Sequence, residues 1–364
     1  MGGDFRHARQ EALVRALEAE GLDGLLVTAR ANIRYLTGFS GSAGLVLVTR
    51  ADVLLVTDFR YDEQARAEAG GAARVEVEGA SVWDRFFHEL PTLGPLPWLG
   101  YEAHALTVKD AERLAGAGKA WRWKATSDLV ERLRASKDPA EVAAIASAAR
   151  LATDALGRTL PVVHPGMTEL EIAGTLEAAL RRLGSEGHPF PTIVASGPRT
   201  ALPHARSSAR TVAAGEWLLL DFGAQVDGYC ADITRTVVVG RRADDRQRAL
   251  YELVRDAQRC ARDAVRAGMP GREADALARD VIEARGFGAA FGHSLGHGLG
   301  LEVHEAPRLS RTSTDPLPQD SVVTIEPGVY IAGQGGVRIE DDVHLSAEGP
   351  MLLSDGRTEL VELV

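Results

Sequence analysis

Cysteine is nearly absent: Cys230 and Cys260 are the two in 364 residues. Two cannot make a disulfide framework, so the fold must rest on its core, and a reducing, cytoplasmic compartment is expected. Long apolar runs are missing too. The longest are short segments such as LVLV at 45–48 and LLL at 218–220, far below the roughly 20 residues of a membrane span. The opening MGGDFRHARQ has neither an apolar signal core nor the Ser or Thr that completes a myristoylation motif. No basic cluster offsets the formal net charge of −10, which argues against nucleic acid and anionic membrane as partners. A small, locally bound substrate is the class left.

A chain of this length exceeds one ordinary core, and two domains are expected. From Arg9 to Ala19 leucine and alanine recur at helical spacing, and GLLVT at 24–28 then reads as a buried strand. Apolar, β-branched runs at 44–49 and 53–57 suggest a hairpin. Helical patterns follow at 61–69, 81–90 and 107–115, with strands near Val75, at 98–101 and at 121–124. The Gly38-Phe39-Ser40-Gly41-Ser42 turn lacks the lysine and following helix of a phosphate loop. This half shows no chemical constellation.

A boundary falls near Arg134. Beyond it Asp138 as N-cap, Pro139 at the first helical position and Glu141 three residues after the cap begin a new helix. Its buried stripe is Val142, Ile145, Ala149, Ala152 and Leu156. The next helical segment runs from Gly166-Met167 to Gly184, with Thr168 and Glu171 as a capping box. It has an echo at Gly268-Met269 to Gly286, 102 residues on (268 against 166), which aligns Glu171 with Glu273, Leu180 with Ile282 and Gly184 with Gly286. An internal duplication is the natural reading. It extends into the strands that follow: His204 corresponds to His304, Asp221-Phe222-Gly223 to Glu326-Pro327-Gly328, and Asp232-Ile233 to Glu340-Asp341. Each half then contributes one histidine and two carboxylates.

Within the second half, GHSLGHGLGLEVHE at 292–305 holds three of the ten histidines. His293 and His297 have the i, i+4 spacing of a helical zinc motif, but Gly292, Gly296, Gly298 and Gly300 make a helix costly, and the HExxH glutamate is missing. On a strand the two would lie about 13 Å apart, too far to share one metal whose bonds are about 2 Å. At most one is expected to be a direct ligand.

Trp217 to Asp221 is an apolar strand ending on an acid, and Asp227-Gly228 marks a two-residue hairpin turn before Tyr229 to Val239. Val226 then pairs with Tyr229, which sets Asp221 opposite Thr234 and makes Asp232 its diagonal neighbour at about 5–8 Å between Cβ atoms. A second hairpin, Val322 to Glu326 and Val337 to Leu345, bears Glu326 and Glu340, with Arg338 on the face of Glu340. Each acid alone reads equally well as a strand-end cap or surface ion pair. As a set, four carboxylates and an imidazole supply mostly hard oxygen donors, enough for two divalent ions about 3.5 Å apart; Mn(II), Co(II) or Zn(II) would fit.

With GHGLGLEVHE, IEPGVY and VRIED, the set Asp221, Asp232, His297, Glu326 and Glu340 resembles the pita-bread metallopeptidases, above all the Xaa-Pro peptidases. Thr57-Asp58-Phe59-Arg60-Tyr61 and the preceding half are similar to the creatinase-like N-terminal domain of prolidases and aminopeptidase P. The resemblance implies an α+β protein, with a creatinase-like α/β domain over 1–134 and a pseudo-two-fold pita-bread catalytic domain over 135–364. It implies two divalent cations, Mn(II) foremost, bridged by Asp232 and Glu340, with Asp221 on one and His297 and Glu326 on the other. Glu326 would also shuttle the proton, His304 and His293 would donate to the oxyanion, His204 would hold the proline side, and Arg338 would hold the substrate. The implied substrate is a short peptide with proline second, whose tertiary amide has no N–H, and the implied assembly is a homodimer. The short chain leans to an Xaa-Pro dipeptidase. An aminopeptidase P acting on longer peptides is the alternative, and a non-catalytic pita-bread binding module the alternative of another class. Methionine aminopeptidase resembles only the catalytic half, and creatinase lacks the metal ligands that are intact here.

Overall fold

The computed structural model describes residues 4–118, 120–354 and 358–364. The chain divides into two compact units, Met1–Arg134 and Ala135–Val364. Among the described residues no helix is long and apolar enough to cross a membrane.

The first unit is a six-stranded mixed sheet in the order 74–78, 53–58, 45–49, 24–27, 98–102, 122–126; among the described residues four α-helices lie in the connections, and Arg6–Ala19 and Leu129–Arg134 flank the sheet in sequence. Leu45–Thr49 pairs antiparallel with Val53–Asp58, the hairpin expected from the sequence. Leu26, Leu47, Leu54, Phe86, Leu99 and Leu114 fill one of its apolar clusters.

The second unit is built twice. Pro139–Thr159 and Glu169–Leu183 are a helical pair, and both begin with the capping boxes read from the sequence, Asp138 with Glu141 and Thr168 with Glu171. The pair recurs as Asp245–Ala264 and Gly271–Ala284. The duplication is visible in individual hydrogen bonds. Gly166 N–H donates to the Val212 carbonyl and Val212 N–H to that of Met167; Gly268 and Leu317, then Leu317 and Met269, repeat both bonds. In the first repeat Ile193–Ser196, Trp217–Phe222 and Ile233–Val239 form an antiparallel sheet that Glu362–Leu363 extends; in the second Gly296–Gly298, Val322–Ile325 and Asp341–Ser346 do the same, with Glu305–Leu309 and Gly349–Leu352 at the edges.

Each repeat has its own core. Ile145, Leu176, Leu180, Leu218, Leu220 and Phe222 lead the first, and Tyr251, Val254, Ile282, Phe291, Val323 and Leu345 the second. The two are interleaved: Trp217 packs into the core of the second repeat, while Leu299 and Val322 pack into that of the first.

Candidate metal centre and active site

Val226 pairs with Tyr229 around Asp227-Gly228, both with positive φ (49° and 75°), as a two-residue turn of this kind requires. The register then runs without a bulge to Ile233 opposite Phe222 and Thr234 opposite Asp221. The register therefore carries Asp221, on Trp217–Phe222, and Asp232, one residue before Ile233–Val239, to the same end of a wholly buried strand pair.

The second hairpin differs from the expectation of two continuous strands. Val322–Ile325 pairs with Asp341–Ser346, while Gly328–Ile331 pairs with Gly335–Arg338 as a separate ribbon. The break has a physical cause. Pro327 has no N–H for the ladder, Glu326 N–H is donated to the Leu295 carbonyl at 2.9 Å, and Glu340 N–H to the Thr234 carbonyl at 3.1 Å. Strand alternation therefore does not relate Arg338 to Glu340. Thr234 joins them instead: its Oγ1 accepts from Arg338 Nε at 3.0 Å and donates to Glu340 Oε2 at 2.6 Å.

The glycine-rich stretch is neither helix nor one long strand: Gly296–Gly298 is a short strand, and Glu305 at the far end opens the strand that pairs with it. Its glycines permit close approach. A Cβ at Gly296 would lie 1.9 Å from the Thr324 carbonyl oxygen, and one at Gly298 2.1 Å from that of Ala306. His297 is fixed between them. Its N–H donates to Thr324 Oγ1 at 3.1 Å, and Nδ1 lies 3.1 Å from the Gly298 carbonyl. With the proton on Nδ1, the Nε2 lone pair is free for a cation. Nε2 is 3.4 Å from Glu326 Oε1 and 3.8 Å from Asp232 Oδ2. Ligand atoms of Asp232, His297 and Glu340 all lie within 4.8 Å of one another. His293 is not in that donor group; its Nε2 lies 2.9 Å from the Tyr330 hydroxyl.

A cavity of about 890 Å³ opens onto this group, and its lining includes Asp221, Asp232, His204, His293, His297, His304, Glu326, Arg338 and Glu340. Phe190, Pro191 and Ile193 give it an apolar side, and Arg206 and Arg308 also line it. Arg338 is 3% exposed and fully engaged: Nη2 donates to Asp221 Oδ2 at 2.5 Å, and Nη1 to the Tyr330 hydroxyl at 2.8 Å and the Pro203 carbonyl at 3.3 Å. Asp221 thus lies in the same cavity, paired to Arg338. Tyr330, Thr234 and Thr324 were not singled out from the sequence. Tyr330 stands in IEPGVY, four residues after Glu326, and its link to His293 and Arg338 depends on the ribbon that the broken hairpin creates.

Burial raises the carboxyls of Asp232 and Glu340 well above the usual range, and the neighbouring acids add to the shift. Burial also pushes Glu326 up to about 8 and raises Asp221 against the pull of Arg338. It lowers His293 and His297 to about 4, which keeps both neutral. Asp232 Oδ1 is buried with no hydrogen-bond partner. An orphaned carboxyl oxygen, two further acids crowded beside it and a neutral imidazole with a free nitrogen fit a divalent cation. A consequence for stability follows. A carboxyl raised from 4.5 to about 8 binds its proton more tightly when folded, so its contribution is complete below pH 4.5 and is lost as pH rises to about 8. Chelated protein is therefore expected to lose thermal stability across that window, and protein with cation restored to show a shallower slope. Parallel melting curves at pH 5 to 8 check this; equal slopes would exclude the acids as a shared cation site.

Residues 143–347 match the family model described as metallopeptidase family M24, and residues 9–136 that of the creatinase/prolidase N-terminal domain. The chain is 40% identical over 343 residues to the uncharacterized peptidase YqhT of Bacillus subtilis (strain 168), covering 94% of this chain and 96% of that protein. Among solved structures it is similar to the Xaa-Pro dipeptidase from Bacillus anthracis, with a TM-score of 0.94, 39% identity and coverage of 98% and 100%. It is also similar to the X-Pro aminopeptidase from Thermotoga maritima MSB8, with a TM-score of 0.90, 36% identity and coverage of 97% and 99%.

Proposed function

The chain belongs to metallopeptidase family M24 and carries the creatinase/prolidase N-terminal domain, and from that premise we propose that it hydrolyses the Xaa-Pro bond of dipeptides. The observation that carries the reading is the donor group of Asp232, His297 and Glu340 on the wall of a peptide-sized cavity. Asp232 and Glu340 would bridge two cations, Asp221 would hold one, and His297 with Glu326 the other. Mn(II) is the first choice for this oxygen-rich set, with Co(II) or Zn(II) able to replace it. When bound, such cations supply Lewis acidity at the scissile carbonyl and a nucleophile at neutral pH.

The remaining chemistry falls to the chain's own groups. Glu326, held by Thr324 Oγ1 at 3.2 Å, carries the proton from the attacking water to the leaving proline nitrogen. His304, packed edge-on to His297 at 4.3 Å between ring centroids, donates to the oxyanion; His293, expected to share that role, instead has Nδ1 2.8 Å from the Ser294 carbonyl, to which it gives its proton, and takes the Tyr330 hydroxyl on Nε2. His204 holds the proline side, and Phe190, Pro191 and Ile193 suit its ring. Arg338 braces Asp221 and Tyr330. The same reading includes a cytoplasmic homodimer, for which the two cysteines, neither of them in a disulfide, fit the compartment and the family resemblance alone suggests the assembly.

A dipeptide offers a carboxylate directly beyond proline. The guanidinium of Arg338 is committed to its neighbours, but Arg308 is exposed on the cavity wall and has no side-chain hydrogen bond or ion pair among the described residues. We expect Xaa-Pro dipeptides to exceed Xaa-Pro-Ala and Xaa-Pro-Pro tripeptides in kcat/KM by about 10-fold or more, the worth of one charge-assisted contact. Arg308→Ala is expected to narrow that gap. Steady-state kinetics on the series decide it. Faster tripeptide cleavage would favour an aminopeptidase P, the activity named for the Thermotoga maritima relative, and no cleavage at any cation loading would favour a binding module.

A further inference from the structure

Glu169 is fully buried at the start of the Glu169–Leu183 helix, yet none of the chemistry above uses it. Its carboxylate takes donors from two distant places in the sequence. Oε1 accepts from Ser196 N–H at 2.8 Å and Ser196 Oγ at 2.9 Å. Oε2 accepts from Ser208 N–H at 3.0 Å and Ser208 Oγ at 2.6 Å. Arg199 Nε lies across both oxygens at 3.1 and 3.2 Å. Residues 196 and 208 are the two ends of the segment that carries His204 into the cavity, so one carboxylate closes that loop at its base. Further ties hold it: within the loop Arg199 Nη2 donates to the Arg206 carbonyl at 2.5 Å, and Ser207 Oγ accepts from the N–H of Val194 on the preceding strand at 2.9 Å.

We propose that Glu169 is the positioning residue for His204. A carboxylate can satisfy both serine pairs because it is acceptor-only on two oxygens. An amide in its place would turn an NH2 towards one pair of donors and release that end of the loop. A misplacement of about 1 Å is enough to cost a positioned group much of its effect. The proposal rests on the role given to His204 above, and its test is arranged to separate the two.

In cation-loaded protein, Glu169→Gln is expected to lower kcat/KM on an Xaa-Pro dipeptide by about 10- to 100-fold with metal content unchanged. In a His204→Ala background it should cost nothing more, because both substitutions remove the same contact. Limited trypsin digestion should nick Glu169→Gln after Arg206, in the released loop, and spare the parent. Ser208→Ala, which deletes one donor, serves should Glu169→Gln fail to fold; it should lose about 2- to 10-fold and show the same non-additivity. Additive losses with His204→Ala, metal loss matching the activity loss, or equal tryptic resistance would each overturn the proposal. If His204→Ala alone leaves kcat/KM intact, the role of His204 falls, and the digestion still decides whether Glu169 holds the loop.

Discussion

Asp232→Asn and Glu340→Gln are each expected to lose bound metal and at least about 10³-fold in kcat/KM, whereas Asp221→Asn should retain more of both. Both are central to the donor group, and a ligand shared by two cations costs both when it is neutralised. Asp221 has a second partner, the Arg338 guanidinium, and would serve one cation only. The fold should tolerate the two large-effect changes. Burial and neighbouring acids already push these carboxyls towards the neutral form, so an amide of the same shape removes repulsion from the cation-free state. Elemental analysis beside kinetics on Xaa-Pro dipeptides tests the ranking. Hydrolysis by chelated protein at the rate of the Mn-loaded form would sink the metal mechanism.

His304→Ala should separate catalysis from metal binding. With a contact made mainly in the transition state, its loss is expected to lower kcat by about 10²- to 10³-fold while the metal content stays that of the parent. His297→Ala should lose metal first and activity with it, because its Nε2 stands among the carboxylates. The two rings are in edge contact, so similar general disturbance is a built-in control. Equal metal loss in the two variants would reassign the ligand, and an unchanged kcat in His304→Ala would remove that residue from the reaction.

Much of this was legible in the chain because local chemistry and global fold agree there. Asp138 with Glu141 and Thr168 with Glu171 cap their helices as read, and Asp227-Gly228 fixed the register that sets Asp221 opposite Thr234. The duplication survived as a pattern of acids and glycines. What escaped has a common property: it depends on partners remote in sequence. Pairing periodicity cannot show that Glu340 will give its N–H to Thr234, so the broken hairpin and the Arg338–Tyr330–His293 chain it produces were not seen. Glu169 is one of two acids in the first turn of its helix, and nothing local marks Ser196 and Ser208 as its partners. The long Asp245–Ala264 helix has the local signal of a capping box in Asp244 and Gln247, but the echo of Gly166–Gly184 falls on the helix that follows it.

The interleaving of the two cores bears on how the catalytic unit is made. The first repeat leaves the ribosome well before Leu299 and Val322, the residues that complete its interior, and it keeps Trp217 in reserve for a neighbour not yet synthesised. Contacts of such sequence separation form late and slowly. The nascent chain therefore spends the interval with an open apolar seam, which the scarcity of cysteine leaves uncrosslinked and which the remaining translation must cover before another chain does.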